Sequence, residues 1–370
     1  MAEDDAAQPK TAPKKKPAAK RAKAAKKAAK PKTAAAQPTE TPPPPQAPLS
    51  VIARMPVGLF GACLGLAGFA TAWREAAVAY GSGIMFAKIL FGIALGFFVA
   101  VLLLIAFKWL RHLETARLDF TDPEQRNILA AGTMTAMVLS SHLTASAPDF
   151  ANAVWLVAGT ANLALTIAIL KQWVARRHRI ANVTPAWFIP IVGNLIIPIV
   201  GAPLGYTDIG WMIFAVGLFF WFVLFVLVFQ RLLFDEPLAA RQRPNLFILV
   251  APPALCFIAY VVLTDGRVDG VAIMFLGLSL FMLAVIVPHL RSMIRSPFGL
   301  TWWSAVFPMS ALSVALTLFA DATGHDWADF LAIATVAALT VGTLIISWKM
   351  ILFVSSGGLS VVPPVQKPSS

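Results

Sequence analysis

Charge is what this 370-residue sequence has least of: Asp, Glu, Lys and Arg make up 13% of it, against 58% hydrophobic residues. A soluble domain carries roughly 25% charged residues, because its surface must be wetted. Halving that fraction fits a chain whose solvent is lipid, where apolar side chains face outward at no cost. Cysteine is scarce as well. Cys63 and Cys256 both fall in apolar stretches and form no CxxC pair. That argues against a disulfide framework or a zinc site and leaves both as small packing residues. The ingredients of catalysis are missing too. There is no HExxH, no pair of carboxylates within an apolar stretch and no histidine-rich set, so neither an enzyme nor a bound cofactor or metal is expected. The first fifty residues lack an apolar h-region, so no cleaved signal peptide is expected either.

What those fifty residues do hold is positive charge. Residues 1–50 carry eleven Lys/Arg against four Asp/Glu, a net +7 of the chain's +12, in Lys/Ala/Pro-rich runs such as Pro13-Lys-Lys-Lys-Pro17. With almost nothing apolar to bury, this segment is expected to stay disordered. It would be a cytoplasmic tail suited to anionic lipid or to an acidic partner.

From Val57 onward, apolar stretches of about 20 residues, long enough for a helix to cross a bilayer, follow one another with short breaks. They lie near 57–79, 84–110, 127–146, 151–174, 186–204, 209–233, 246–264, 269–290, 300–320 and 328–353. Loops after the even-numbered stretches are basic, with Lys108, Arg111, Arg117 and Arg126 in the first and Arg176, Arg177 and Arg179 in the second. Loops after the odd ones carry Asp149, Asp208, Asp265, Asp269, Asp321, Asp326 and Asp329. Basic loops stay on the cytoplasmic side, so both termini should be cytoplasmic and the protein multi-pass in a plasma (inner) membrane. The expectation is an all-α protein of ten transmembrane helices in five helical hairpins. The membrane domain would be 51–355, with a short C-terminal tail over 356–370.

Odd and even members differ in composition. The sixth is Phe-rich from Phe214 to Phe234 and looks outward to lipid, while odd members hold more Gly, Ser, Thr and Pro. In the first, Gly58, Gly61, Gly65 and Gly68 share a helix face; in the third, Thr133, Met137, Ser140 and Thr144; in the ninth, Phe307, Ser310, Ser313, Val314 and Thr317. Small and hydroxyl faces serve close helix packing in membranes. Their recurrence on alternate members favours an inner ring of odd helices around a central pore. Pro190, Pro198, Pro252, Pro253 and Pro308 would bend these helices where backbone lines a cavity. Asn194 could donate to a passing anion or bond a neighbouring helix. Arg74 and Glu75 could pair or stand at a pore mouth. His142 is the one histidine expected inside a span.

The run Pro185-Ala-Trp-Phe-Ile-Pro-Ile-Val-Gly-Asn194, with Pro198 and then Gly201-Ala-Pro-Leu-Gly-Tyr206, resembles a signature of the tellurite-resistance/dicarboxylate transporter family. That family includes the plant slow-type anion channels. Leu64–Arg74, Leu246–Pro253 and Trp302-Trp-Ser-Ala-Val-Phe307-Pro-Met resemble it too, over roughly 54–354. The resemblance implies a homotrimer with one pore per subunit, lined by odd helices and closed by an aromatic side chain of the ninth, here matching Phe307. It implies passive permeation of small anions such as chloride or nitrate, or alternatively proton-linked transport of malate-like dicarboxylates or tellurite export.

Overall fold

The computed structural model describes residues 52–358, so the basic segment 1–50 and most of the 356–370 tail lie outside the described residues. Among the described residues there are twelve α-helices and no strand. They are α1 (Leu59–Ala79), α2 (Ile84–Arg111), α3 (Leu113–Thr121), α4 (Pro123–Ser140), α5 (Pro148–Ala175) and α6 (Phe188–Gly201). After these come α7 (Thr207–Phe234), α8 (Ala251–Leu263), α9 (Gly270–Ile286), α10 (Leu290–Ile294), α11 (Val306–Thr323) and α12 (Asp326–Ser355).

Local chemistry sets several ends. Asp122 caps α4 by accepting from Gln125 N at 2.8 Å, with Pro123 in the first turn, where its missing N–H costs nothing. Asp269 caps α9 and also accepts the Tyr260 hydroxyl at 2.8 Å, tying α8 to its successor. The short α6–α7 and α11–α12 connections turn at Gly205 (φ +94°) and Gly324 (φ +64°), backbone that a side chain would strain.

Among the described residues, eight helical segments are long and apolar enough to cross a membrane. Of the ten expected, 57–79 and 127–146 fall short. Arg74 and Glu75 dilute α1, and α4 opens on the polar run Pro123–Asn127 and ends at Ser140 instead of continuing to 146. Burial divides the eight sharply. Pro185–Leu204, Ala240–Leu263 and Leu300–Thr323 are 72–83% buried in their apolar windows, whereas the other five are 22–33% buried. An apolar helix buried on one stripe and bare elsewhere is one built to meet lipid. Thus α2, α5, α7, α9 and α12 lie outside, and α7 exposes Phe219, Phe222 and Phe234.

Each outer helix packs on the helix before or after it in a pair: α1 with α2, α4 with α5, α6 with α7, α8 with α9, α11 with α12. The inner members also touch one another in sequence, α1 on α4, α4 on α6, α6 on α8, α8 on α11, and α11 back on α1. At the basic end, Lys108 and Asp119 form a buried ion pair at 2.7 Å, and Lys108 also donates to the Met55 carbonyl at 2.9 Å. This pair joins the end of α2, the short helix α3 and the backbone just ahead of α1.

Inner and outer helices approach where one supplies backbone and the other a large side chain. Leu195 lies over Gly217, and the Trp155 indole lies on Gly201 while donating to the Ile197 carbonyl at 3.0 Å and stacking on Tyr206. A Cβ at Gly201 would land inside that indole. Gly201→Ala is therefore expected to lower stability by about 1–3 kcal/mol through overpacking. Gly342→Ala on α12, where nothing lies within 4 Å, should change it by less than about 0.5 kcal/mol or raise it slightly. Thermal unfolding of the two variants in one detergent compares them directly.

Candidate functional site: two cavities divided by one ring

Between the five inner helices lie two cavities of about 110 and 240 Å³. Every inner helix contributes to both. The smaller, toward the basic end, is bordered by Leu64, Met134, Val192, Ile248 and Trp303, among others. The larger, toward the other end, is bordered by Gly68, Val138, Ile196, Leu255 and Val314, among others. Among the described residues, Phe307 alone borders both. It is 8% exposed, so the ring fills the space between the two cavities.

The local sequence explains where that ring stands. Leu300–Ala305 is wound as a 3₁₀ helix, and α-helical winding begins at Val306. Pro308 falls in the first turn of α11, where a backbone N–H has no intrahelical partner to lose. It marks a change of winding and not the interior kink expected from sequence. The same device recurs at Pro190, just after the 3₁₀ turn Pro185–Trp187, and at Pro252 and Pro253, after the 3₁₀ run Ala240–Val250. Pro198 alone of this set lies inside a helix; it borders neither cavity and faces Gly210 of α7.

The glycine face of α1 is turned toward α11. A Cβ at Gly68 would come within 2.9 Å of Phe307 Cδ2 and 3.1 Å of Ser310 Cβ, and one at Gly65 within 3.0 Å of Trp303 and 3.1 Å of Val306. The Phe307 ring therefore lies directly on α1 backbone. Gly58 meets Leu300, whereas Gly61 has nothing within 4 Å and borders the smaller cavity.

Of the other residues singled out from sequence, Pro308 borders the smaller cavity, and Thr144 and Ser310 border the larger. Gly65, Thr133, Ser140, Asn194, Ser313 and Thr317 border neither. Most hydroxyl protons are spent on backbone: Ser310 donates to Val306 O at 2.8 Å, Thr317 to Ser313 O at 2.9 Å and Ser140 to Met137 O at 2.7 Å. Ser313 is fully buried without a partner for its hydroxyl among the described residues. The walls are consequently apolar over most of their length.

Sequence reasoning missed a polar seam between α4, α5 and α6. Thr133 donates to Asn162 Oδ1 at 2.9 Å, Asn162 Nδ2 to Asn194 Oδ1 at 3.1 Å, Asn194 Nδ2 to Thr166 Oγ1 at 3.1 Å, and Thr166 to the Pro190 carbonyl at 2.9 Å. Asn194 thus bonds a neighbouring helix and offers no free donor to a cavity. Polar residues in the otherwise apolar 151–174 stretch, Asn162 and Thr166, were the available signal.

The polar end of the larger cavity is held by Arg74. Its Nη2 pairs with Glu75 Oε1 at 2.7 Å, and Nη1 donates to the Ser141 carbonyl at 3.0 Å. His142 lies in the turn after α4 and not inside a helix. Thr71 donates to Ala67 O, which leaves its oxygen to accept from His142 Nε2 at 3.0 Å, and the imidazole stacks on Phe91. Asn245, which borders the smaller cavity, accepts from Ser304 at 2.6 Å. No three His, Cys, Asp or Glu come together among the described residues.

A family model described as SLAC1, voltage-dependent anion channel, matches residues 54–351. The chain is similar to the guard cell S-type anion channel SLAC1 of Arabidopsis thaliana, 26% identical over 80% of this chain and 56% of that protein. It is similar to the S-type anion channel SLAH3 of the same plant, 27% identical over 82% of this chain and 49% of that protein. The Haemophilus influenzae tellurite resistance protein TehA homolog is 24% identical over 72% of this chain and 81% of its own length. The chain thus spans about half the length of the plant relatives.

The polar seam yields a stability prediction. Asn194→Ala removes the 3.1 Å acceptor of Asn162 Nδ2 and the donor to Thr166 Oγ1, leaving Asn162 only a 3.4 Å contact to the Pro190 carbonyl, which should lower stability by about 1–2 kcal/mol. Adding Asn162→Ala should recover part of that loss, measured as a double-mutant cycle of unfolding midpoints.

Proposed function

Since the chain belongs to the SLAC1 voltage-dependent anion channel family, we propose that it conducts small anions such as chloride or nitrate passively across a bilayer, with Phe307 as the gate. The observation that carries this reading is the single ring bordering both cavities. In this reading ten helices cross the membrane as five hairpins around a pore. The 21 residues of α1 rise about 30 Å, enough to span. Shielded between neighbours, α1 and α4 need not be apolar all round, which accounts for their lower hydropathy. Basic loops on one side set both termini in the cytoplasm of a cell with the protein in its plasma (inner) membrane. The homotrimer belongs to the same proposal.

The walls suit conduction more than capture. A narrow apolar constriction blocks by steric bulk and by excluding hydrating water, and removal of the bulk restores passage. The cation on the walls, Arg74, is offset by Glu75, so an anion is drawn in without a deep well to trap it. Proton-linked dicarboxylate transport wants a free titratable group in the pathway. Glu75 is taken by Arg74 and His142 by Thr71, so that alternative gains no support from the walls.

Phe307→Ala should merge the cavities and raise anion current at equal surface expression by about tenfold or more, the effect of removing a penalty of roughly 1.4 kcal/mol. Anion-substitution recordings in oocytes or chloride flux in liposomes would show it; equal currents would overturn the gate. Gly68→Ala pushes on the ring it touches, so it should change current in the Phe307 background and much less in the Phe307→Ala background.

A further inference from the structure

Nearly every buried charge among the described residues has an acceptor. Lys108 has Asp119, and Arg231 donates to the Glu236 carbonyl at 2.8 Å. Arg231 Nε is itself buried without a partner, but its Nη1 is held; among the described buried cations Arg126 is the one with no hydrogen bond at any side-chain nitrogen. It is 7% exposed, and its Nε is sealed from solvent with no hydrogen-bond partner. Asp122, whose charge partly offsets it, is exposed and already accepts from Gln125 N at the helix cap. A buried N–H of a guanidinium left without an acceptor is penalised, and an anion beside it would supply one.

The position of Arg126 says where that anion sits. Thr133, seven residues on and on the same helix face, bonds Asn162 of α5. Arg126 therefore points toward the seam between α4 and α5, at its basic end. There α5 finishes at Arg176, which is exposed and whose charge is felt at Arg126. Two like charges converge there, and Asp122, the carboxylate whose charge offsets Arg126, is exposed to solvent. Beside this spot, α3 packs on both α2 and α4. It leaves Leu113, Leu118 and Phe120 about half to two-thirds exposed, as a helix lying in a membrane interface does.

We propose that Arg126 and Arg176 bind a phosphate group, carried by an anionic phospholipid whose chains lie along α3. Guanidinium forks match phosphate oxygens in geometry and charge, and the α3 face supplies the apolar surface that acyl chains need. The proposal is independent of the pore reading, because Arg126 borders neither cavity.

Full-length protein stripped of lipid in detergent is titrated with phosphatidylglycerol, with diacylglycerol and with inorganic phosphate. Unfolding temperature is read by tryptophan fluorescence and occupancy by native mass spectrometry. Phosphatidylglycerol should raise the unfolding temperature of the wild type, and diacylglycerol should not. Arg126→Met should unfold at or above the wild-type temperature when stripped, since a lone buried charge is gone, and should gain nothing from phosphatidylglycerol. That crossover is one a purely structural arginine would not give. Arg176→Gln, at an exposed position, should keep the stripped stability and bind the lipid roughly tenfold more weakly. If inorganic phosphate alone gives the full gain and the same variants abolish it, the phosphate site stands with a soluble ligand. Wild-type binding in Arg176→Gln, or an equal response to diacylglycerol, would overturn the proposal, including when Arg126→Met fails to fold.

Discussion

Helix α1 meets α11 through bare backbone. At Gly65 and Gly68 no side chain stands between them, so Trp303, Val306, Phe307 and Ser310 rest on the main chain of the first helix. This contact closes the cycle of inner helices, because α11 is last in the order and α1 first. Without it the inner helices would form an open row and the two cavities would lose a wall. It also fixes the ring, since Phe307 is held on the side where Gly68 leaves room.

Winding sets the ring's direction as much as packing does. A 3₁₀ helix rises about 2.0 Å per residue against about 1.5 Å in an α-helix, so each change of winding rotates the following side chains. In α6, α8 and α11 the change falls beside a proline, and in α11 it falls one residue before Phe307. The eleven-residue 3₁₀ run Ala240–Val250 is long for that geometry. Its burial among the other inner segments supplies the packing that isolated 3₁₀ turns lack.

Most of the helix plan was legible in the sequence because lipid imposes length and loops carry charge. The outward face of α7 could be read from Phe219 and Phe222, and the hairpin order from Asp208 and Arg231. Phe307 stood out through its motif and its place before Pro308 on a face with Ser310, Ser313 and Thr317, since nothing in a phenylalanine itself says which of 26 stands between two cavities. Hydroxyl roles were not legible. Ser310, Ser140 and Thr317 turn their protons onto backbone carbonyls, a choice of rotamer that spacing does not encode. Asn194 was undecidable until α5 brought Asn162 and Thr166 against it. The apolar walls, Val192 and Ile248 among them, were hidden because a cavity-facing isoleucine and a lipid-facing one look alike in a sequence.

The Lys108–Asp119 pair lies immediately ahead of the first inner helix and grips the Met55 carbonyl. In mechanical terms it is a cable clamp. A shift of the backbone at Met55 is therefore shared with α2 and α3 as well as with α1, where Gly68 seats Phe307.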